Sequence, residues 1–257
     1  MHRQTLRLLD VTIDNVTRPE ALARAAGWLH ETRFHHIVTP GAEFLLEATA
    51  HAKFRDILNR ADLSLPDGMS LHLGARLTGQ KLRQRIPGAD FVLDLMGLAA
   101  QRGSRVFMFG GKTGVAEQAG EKLLTMWPAL NIVGVESGSR GHWSKLQDHR
   151  IIERIHLAKP DILLVALGAP KQELWIDRHR PALHHVKIAM GVGRTFDYLA
   201  GTIKRAPAVM RQTGFEWLHT YLTAAQYHQP QFRRQRVTNA TYRFIIELIK
   251  HRRARRS

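Results

Sequence analysis

Apolar positions along the chain fall into a repeated order. A short apolar run comes first, then a turn with Gly, Pro or a polar residue, then residues spaced for an amphipathic helix. The run near His36 to Thr39 turns at Pro40 and Gly41 into a helix from Ala42. Leu63 to Leu65 turns at Pro66 to Gly68, and the run ending at Phe109 turns at Gly110 and Gly111 into a helix from about Val115. Ile162 to Leu167 turns at Gly168 to Pro170 into a helix from Lys171, and a run ending near Met190 turns at Gly191 to Gly193. These runs lack polar alternation, so both faces of each strand are expected to be covered. Strands alternating with helices predict parallel βαβ units, hence an α/β, Rossmann-like, mostly parallel sheet with helices on both faces.

Two further helices are legible. Thr17 and Glu20 have capping-box spacing before Leu22, Ala25 and Trp28. Another helical pattern lies between His142 and Ala158. After Thr202 the order changes to two or three helices rich in Arg and aromatics, broken around Gly214 and Gln229-Pro230. The sequence therefore divides into a core, 1–201, and a basic helical C-terminal appendage, 202–257.

Charge sharpens that division. The chain of 257 residues has a net charge of +16. From Thr202 onward there are 12 Lys or Arg against Glu216 and Glu247, which points to a polyanionic partner, a membrane surface or a nucleic acid. The chain has no cysteine, which removes disulfides and cysteine-based metal or redox sites. A charged N-terminal stretch without a signal-peptide core, and no apolar run of roughly 18 residues, predict a cytoplasmic or peripheral protein.

In open parallel sheets ligands bind at the carboxyl ends of the strands. Asp67, Gly110–Gly111, Gly168 to Gln172 and Asp197 would share that rim. Asp67 also has a simpler explanation, as the N-cap of the helix that follows it. "GGKTG", Gly110 to Gly114, suits a phosphate or a tight turn, and it is not a P-loop, since Val106 stands where the first Gly would be. In "GAPKQE", Lys171 suits phosphate charge and Gln172 a sugar or base; both equally suit the start of a helix. Phe196 and Tyr198 read as core, and Asp197 as a cap or a contact to a nucleotide. The 15 histidines form no metal-binding pattern. His35-His36 and His184-His185 read as strand neighbours pointing apart, mainly at the surface and in loops. Neither H-E-x-x-H nor Asp-x-Asp is present.

The segments "TPGAEFLLEA", "ADLSLPDGMSL", "RIPGAD", "RVFMFGGKTGVAE", "PDILLVALGAPKQELWI" and "GVGRTFDYLAGTIKRAPAVMRQTGFEWL", in this order, resemble the WecG/TagA/CpsF family, glycosyltransferase family 26. The resemblance runs from about residue 8 to about residue 235. It implies an inverting, metal-independent transferase, without cofactor, that moves a sugar from a UDP-sugar to a polyprenyl-diphosphate-linked saccharide. Such enzymes serve exopolysaccharide, teichoic-acid linkage or common-antigen synthesis at the cytoplasmic face of the bacterial membrane.

Asp67 matches the family's proposed base, which takes the proton of the acceptor hydroxyl. Thr39 and Gly41 lie in the family's "T-x-N-x-E" turn, Arg85 and Gln172 match donor or acceptor contacts, and Asp197 matches a residue near the uridine. Without a divalent ion the leaving UDP needs helix dipoles and cations, for which Gly110, Gly111, Lys171, Lys204, Arg205 and Arg211 are candidates. Two positions depart from the pattern. Gly41 stands where Asn is common, and Arg194 replaces the second Gly of "GVGGSFD", where it either binds phosphate or crowds the loop.

"TYRFIIELIKHRRARRS" joins an apolar patch to five basic residues and suits an anionic membrane surface. A homo-oligomer is compatible with the sequence. The alternatives are a catalytically silent scaffold in a polysaccharide assembly complex and a nucleic-acid-binding protein. No stacking aromatics interleave with the basic residues on a known nucleic-acid module, so no nucleic-acid partner is expected.

Overall fold

The computed structural model describes residues 3–137, 145–207, 209–210, 218–219, 222 and 230–254. The chain opens with a hairpin absent from the sequence reading, β1 (Thr5–Leu8) and β2 (Val11–Asp14). Its two turn residues, Leu9 and Asp10, both have positive φ, 46° and 62°. That is the backbone a two-residue hairpin needs to match strand twist. Helix α1 (Arg18–Trp28) follows, and Glu20 accepts the Thr17 N–H at 2.9 Å, one half of the expected capping box.

The main sheet has six strands, β3 (His35–Val38), β4 (Leu63–Ser64), β5 (Arg105–Gly110), β6 (Asn131–Glu136), β7 (Ile162–Ala166) and β8 (Ile188–Gly191). All five pairings are parallel, in the order β4-β3-β8-β7-β5-β6. Between them run α2 (Ala42–Ala50), α3 (Ala52–Arg60), α4 (Met69–Leu77), α5 (Gly88–Arg102), α6 (Val115–Met126), α7 (Lys145–Ala158) and α8 (Lys171–His179). The short α9 (Thr195–Leu199) follows β8, and α10 (Pro230–Ala254) closes the described chain. Strand ends shift by one residue from the sequence pattern: β3 stops at Val38, β7 at Ala166, and β8 continues to Gly191.

Alternate residues of each strand enter different cores, as a doubly covered sheet requires. Val106, Met108, Ile162 and Leu164 pack with α1, α5, α6 and α9. Phe107, Phe109, Leu163 and Val165 pack with α7 and α8. A third core joins the hairpin, α2, α3 and α4 to the C-terminal helix through Phe244 and Leu248. Glycine at 74 admits that helix: a Cβ there would lie 2.8 Å from the Phe244 ring.

β4 is only two residues long and forms the sheet's edge, so something besides pairing must hold it. Asp14 of β2 does this. Its fully buried carboxylate accepts the Ser64 N–H at 2.8 Å and takes Arg3 and Arg24 at 2.8 and 3.1 Å. Arg3 continues to the Ala61 carbonyl at 3.0 Å. The hairpin thus stands in for a neighbouring strand at the element that leads into Asp67.

The histidine pairs correct the sequence reading. His35 and His36 do alternate across a strand, but both faces of β3 are covered, so both are buried. His35 stacks on Trp28 with ring centres 4.3 Å apart and lies 3.0 Å from Glu31. Burial lowers the His36 pKa to about 4. His184 and His185 are exposed, as expected, but follow a 3₁₀ turn (Arg180–Ala182) rather than a strand, and their rings lie 4.0 Å apart.

Candidate functional site

The residues singled out in the sequence lie along the carboxyl rim of the sheet, in two groups. Strands lie about 4.8 Å apart, so the ends of β4 and β5, four places apart in the order, are separated by roughly 19 Å.

The first group surrounds Asp67. The Asp67 N–H donates to Pro40 O at 3.0 Å and the Ile86 N–H to Pro66 O at 2.9 Å, so three segments run side by side past the end of β4. Asp67 is not the N-cap residue of the helix that follows it. Gly68, at φ +108°, is the cap residue of α4. Asp67 Oδ2 accepts the Gly88 N–H at 3.3 Å, at the positive end of α5. The carboxylate is thereby aimed across the rim, half-buried rather than solvated. Thr39 packs against the same helix start; a Cβ on Gly88 would lie 2.9 Å from its Oγ1. Gly41 is the N-cap residue of α2, and a Cβ there would lie 2.9 Å from the Asp67 carbonyl. Glycine at 41 therefore lets the two turns touch.

Arg85 lies on the segment leading to Gly88. It is close enough to His72, on the first turns of α4, to oppose its protonation. Burial is the larger cause, with Arg76 adding to it, and together they lower the His72 pKa. His72 was missed in the sequence; its place one turn after Gly68 was the available signal. Arg205 joins this group from the appendage. Its Nη1 meets Asp90 Oδ1 at 2.6 Å, in the first turn of α5, and its guanidinium lies 5.9 Å from the Tyr198 ring centre.

The second group lies where chain directions diverge. The loop after β5 leads outward to β6, and the loop after β7 leads back to β8, which makes the β5–β7 boundary the sheet's topological switch point. Gly110 has φ +107°, and a Cβ would lie 2.7 Å from the Ala166 carbonyl carbon and oxygen, so the position excludes any side chain. The Gly111 N–H donates to Ala166 O at 2.9 Å and the Gly114 N–H to Ser137 Oγ at 3.0 Å. Two N–H groups expected to cradle a phosphate are thus occupied within the protein. What this turn presents is the positive end of α6 and exposed Lys112.

Lys171 is exposed at the start of α8, facing the same rim. Gln172 is buried and works inward. Its Oε1 accepts the N–H groups of Gly168 and Gly193 at 3.1 and 3.0 Å, and Nε2 donates to Glu173 Oε1 at 2.7 Å. One amide therefore ties the loops after β7 and β8 together. Glu173, fully buried, has its pKa raised to about 8 by desolvation, so it is a neutral acid at pH 7. Gly191 leaves room for this pair; a Cβ there would lie 2.4 Å from Gln172 Nε2.

Arg194 has φ −86° and is exposed, while Gly193 takes the positive φ of the turn. The arginine neither strains nor crowds the loop, and its charge faces solvent at the rim. Asp197 is buried in α9, between the two groups, and its carbonyl accepts from Thr202 Oγ1 and the Ile203 N–H. Lys204 is exposed beyond it. Arg211 lies outside the described residues, as do Arg255 and Arg256 of the tail. Among the described residues no three His, Asp or Glu side chains are grouped to hold a metal.

Residues 6–257 match the model of the glycosyl transferase WecG/TagA/CpsF family. The chain is also 30% identical over 228 residues to an N-acetylglucosaminyldiphosphoundecaprenol N-acetyl-beta-D-mannosaminyltransferase of Bacillus spizizenii. That alignment covers 88% of this chain and 83% of the relative.

Proposed function

The chain belongs to the WecG/TagA/CpsF glycosyltransferase family, and from that premise we propose that it transfers a sugar, with inversion, from a UDP-sugar to a polyprenyl-diphosphate-linked saccharide. The Bacillus relative's name makes N-acetylmannosamine the first donor sugar to try and an N-acetylglucosaminyl lipid diphosphate the first acceptor. The observation that carries the proposal is Asp67, a half-buried carboxylate at the end of β4 held at the sheet rim by the Gly88 N–H.

In the reaction the acceptor hydroxyl attacks the anomeric carbon. A new carbon–oxygen bond forms as the bond to the UDP oxygen breaks. Asp67 takes the hydroxyl proton. Thr39, Gly41 and Arg85 border the space in front of it and would contact the sugars. Negative charge grows on the departing diphosphate. Preorganised positive groups lower the barrier where charge develops. Lys204 and Arg205 of the appendage would supply these beside Asp67, with Arg211 as a further candidate, while the start of α6 and Lys171, further along the rim, add a longer-range positive field. Arg194 at the rim adds to the same field. Gln172 acts by fixing the two loops, and Asp197 by holding the α9 turn that meets the uridine. No cofactor or metal enters this scheme.

The basic tail recruits the enzyme to the anionic cytoplasmic surface where lipid-linked acceptors reside. No described helix is long and apolar enough to cross a membrane, which is compatible with peripheral attachment. Calorimetric titration with UDP, with ADP and GDP as controls, tests the donor assignment. Selective UDP binding weakened by Asp197→Ala is expected. Equal binding of all three nucleotides would overturn the uridine assignment.

A further inference from the structure

Helix α4 begins one residue past the Asp67–Gly68 turn and carries an apolar stripe that the fold does not cover. Met69, Leu73 and Leu77 are spaced four apart, which puts them on one face. They are 42%, 49% and 38% exposed. The opposite face, Leu71, Gly74 and Ala75, is buried. The C-terminal helix α10 extends the stripe. Its inner face, Ala240, Phe244 and Leu248, is buried against the body, while Ile249 is 42% exposed beside Leu77. Arg252 fixes the two helices together by donating from Nη1 to the Leu77 carbonyl. Leu77, Leu248 and Ile249 line a cavity of about 250 Å³ whose other walls are Thr78, Arg252 and Arg253.

The charges on these two helices are nearly all positive. Helix α4 contains no acidic residue, and α10 contains only Glu247, which pairs with Lys250 at 2.9 Å. Arg76 and Arg253 are exposed at its margin. Exposed apolar side chains rimmed by arginine fit an anionic lipid surface, which takes the apolar groups below its headgroups and pairs the cations with them. A second protein of ordinary surface would leave these cations unmatched.

We propose that the α4 stripe, with Ile249 of α10, is the face this protein lays into an anionic membrane. Membrane contact is then not confined to the basic tail; it is built into the helix that follows the Asp67–Gly68 turn. Leu77 lies about 12 Å along that helix from Met69, at 1.5 Å per residue. With the whole stripe in the surface the helix lies in the membrane plane, and Asp67, two residues before Met69, is kept close to the headgroups. This rests on the reading of the chain as a transferase acting on a lipid-linked acceptor.

The chain has no cysteine, so Leu73→Cys gives a single labelling site. A polarity-sensitive fluorophore on it is expected to shift to the blue with phosphatidylcholine vesicles containing phosphatidylglycerol, and much less with phosphatidylcholine alone. The same label at Leu157→Cys, 82% exposed on α7, is expected not to shift. Leu73→Asp combined with Leu77→Asp should lower co-sedimentation with the anionic vesicles at least tenfold. UDP binding and transfer to a water-soluble short-chain acceptor should be unchanged. An unshifted Leu73→Cys label, or full vesicle binding by the double Asp variant, overturns the proposal. So does a concentration-dependent dimer abolished by the double Asp variant, which would make the stripe an interface between copies. The vesicle experiments contain neither donor nor acceptor, whereas the soluble assay tests the transferase reading alone.

Discussion

Glu173 is the residue whose chemistry departs furthest from its ordinary value. Its carboxyl is buried, and desolvation raises its pKa from 4.5 to about 8. The native state therefore binds a proton that the unfolded chain has released, and its stabilising contribution, full below pH 4.5, is lost as pH rises towards 8. His36 runs the other way. Its pKa falls from 6.5 to about 4, so stability is lost as pH falls through that interval. Between pH 6.5 and 8 only the Glu173 slope remains of these two. We expect Glu173→Gln to flatten the decline of melting temperature over that window and to leave it little changed at pH 5. A parallel shift of both curves would contradict the assignment. At Gly110 a side chain meets the Ala166 backbone in a positive-φ turn. Gly110→Ala should cost on the order of 1–3 kcal/mol in chemical denaturation and weaken UDP binding, while Arg194→Gly should leave stability within about 0.5 kcal/mol, because Arg194 has an ordinary φ.

Among elements, the two-residue edge strand β4 is the least self-sufficient, and it delivers Asp67. Its support is the buried Asp14 with Arg3, Arg24 and the Ser64 N–H. Asp14→Ala would leave a buried N–H unpaired and two arginines without their counter-charge. A loss of about 2–4 kcal/mol is expected, with a fall in kcat larger than any change in UDP affinity. Equal losses in both would assign Asp14 a general role rather than one at β4. This support was not legible in the sequence. Leu6, Leu8, Val11 and Ile13 carry strand alternation, but the turn is Leu9-Asp10, without the Asn-Gly or Asp-Gly signal that marks hairpins. The buried parallel strands β3, β5, β7 and β8 were legible because each is a continuous apolar run ending in a turn. Edge strand β6 was missed, since Asn131 to Glu136 is half-exposed and holds a glycine.

At the scale of the whole molecule, the rim was legible and its inner division was not. Turn residues mark strand ends in one dimension, but the order β4-β3-β8-β7-β5-β6 decides that Asp67 and Gly110 stand at opposite ends of the rim. Gln172 illustrates the limit. Its chemistry suits a sugar, and only the placement of Gly168 and Gly193 around it shows an amide occupied with holding loops. Gln172→Ala is therefore expected to weaken donor binding and lower the melting temperature together. Loss of binding at unchanged stability would indicate direct contact with substrate.

The measurement that bears most directly on the account is transfer by the wild-type protein and by Asp67→Asn. The donor is UDP-N-acetylmannosamine and the acceptor a short-chain, water-soluble N-acetylglucosaminyl lipid diphosphate, with UDP affinity measured in parallel. The account predicts a disaccharide product and free UDP from the wild type. The disaccharide stays on the lipid diphosphate, since only the bond to UDP breaks. The account also predicts a loss of at least about 10²-fold in turnover for the variant, with UDP binding kept. Near-normal turnover by Asp67→Asn would contradict it.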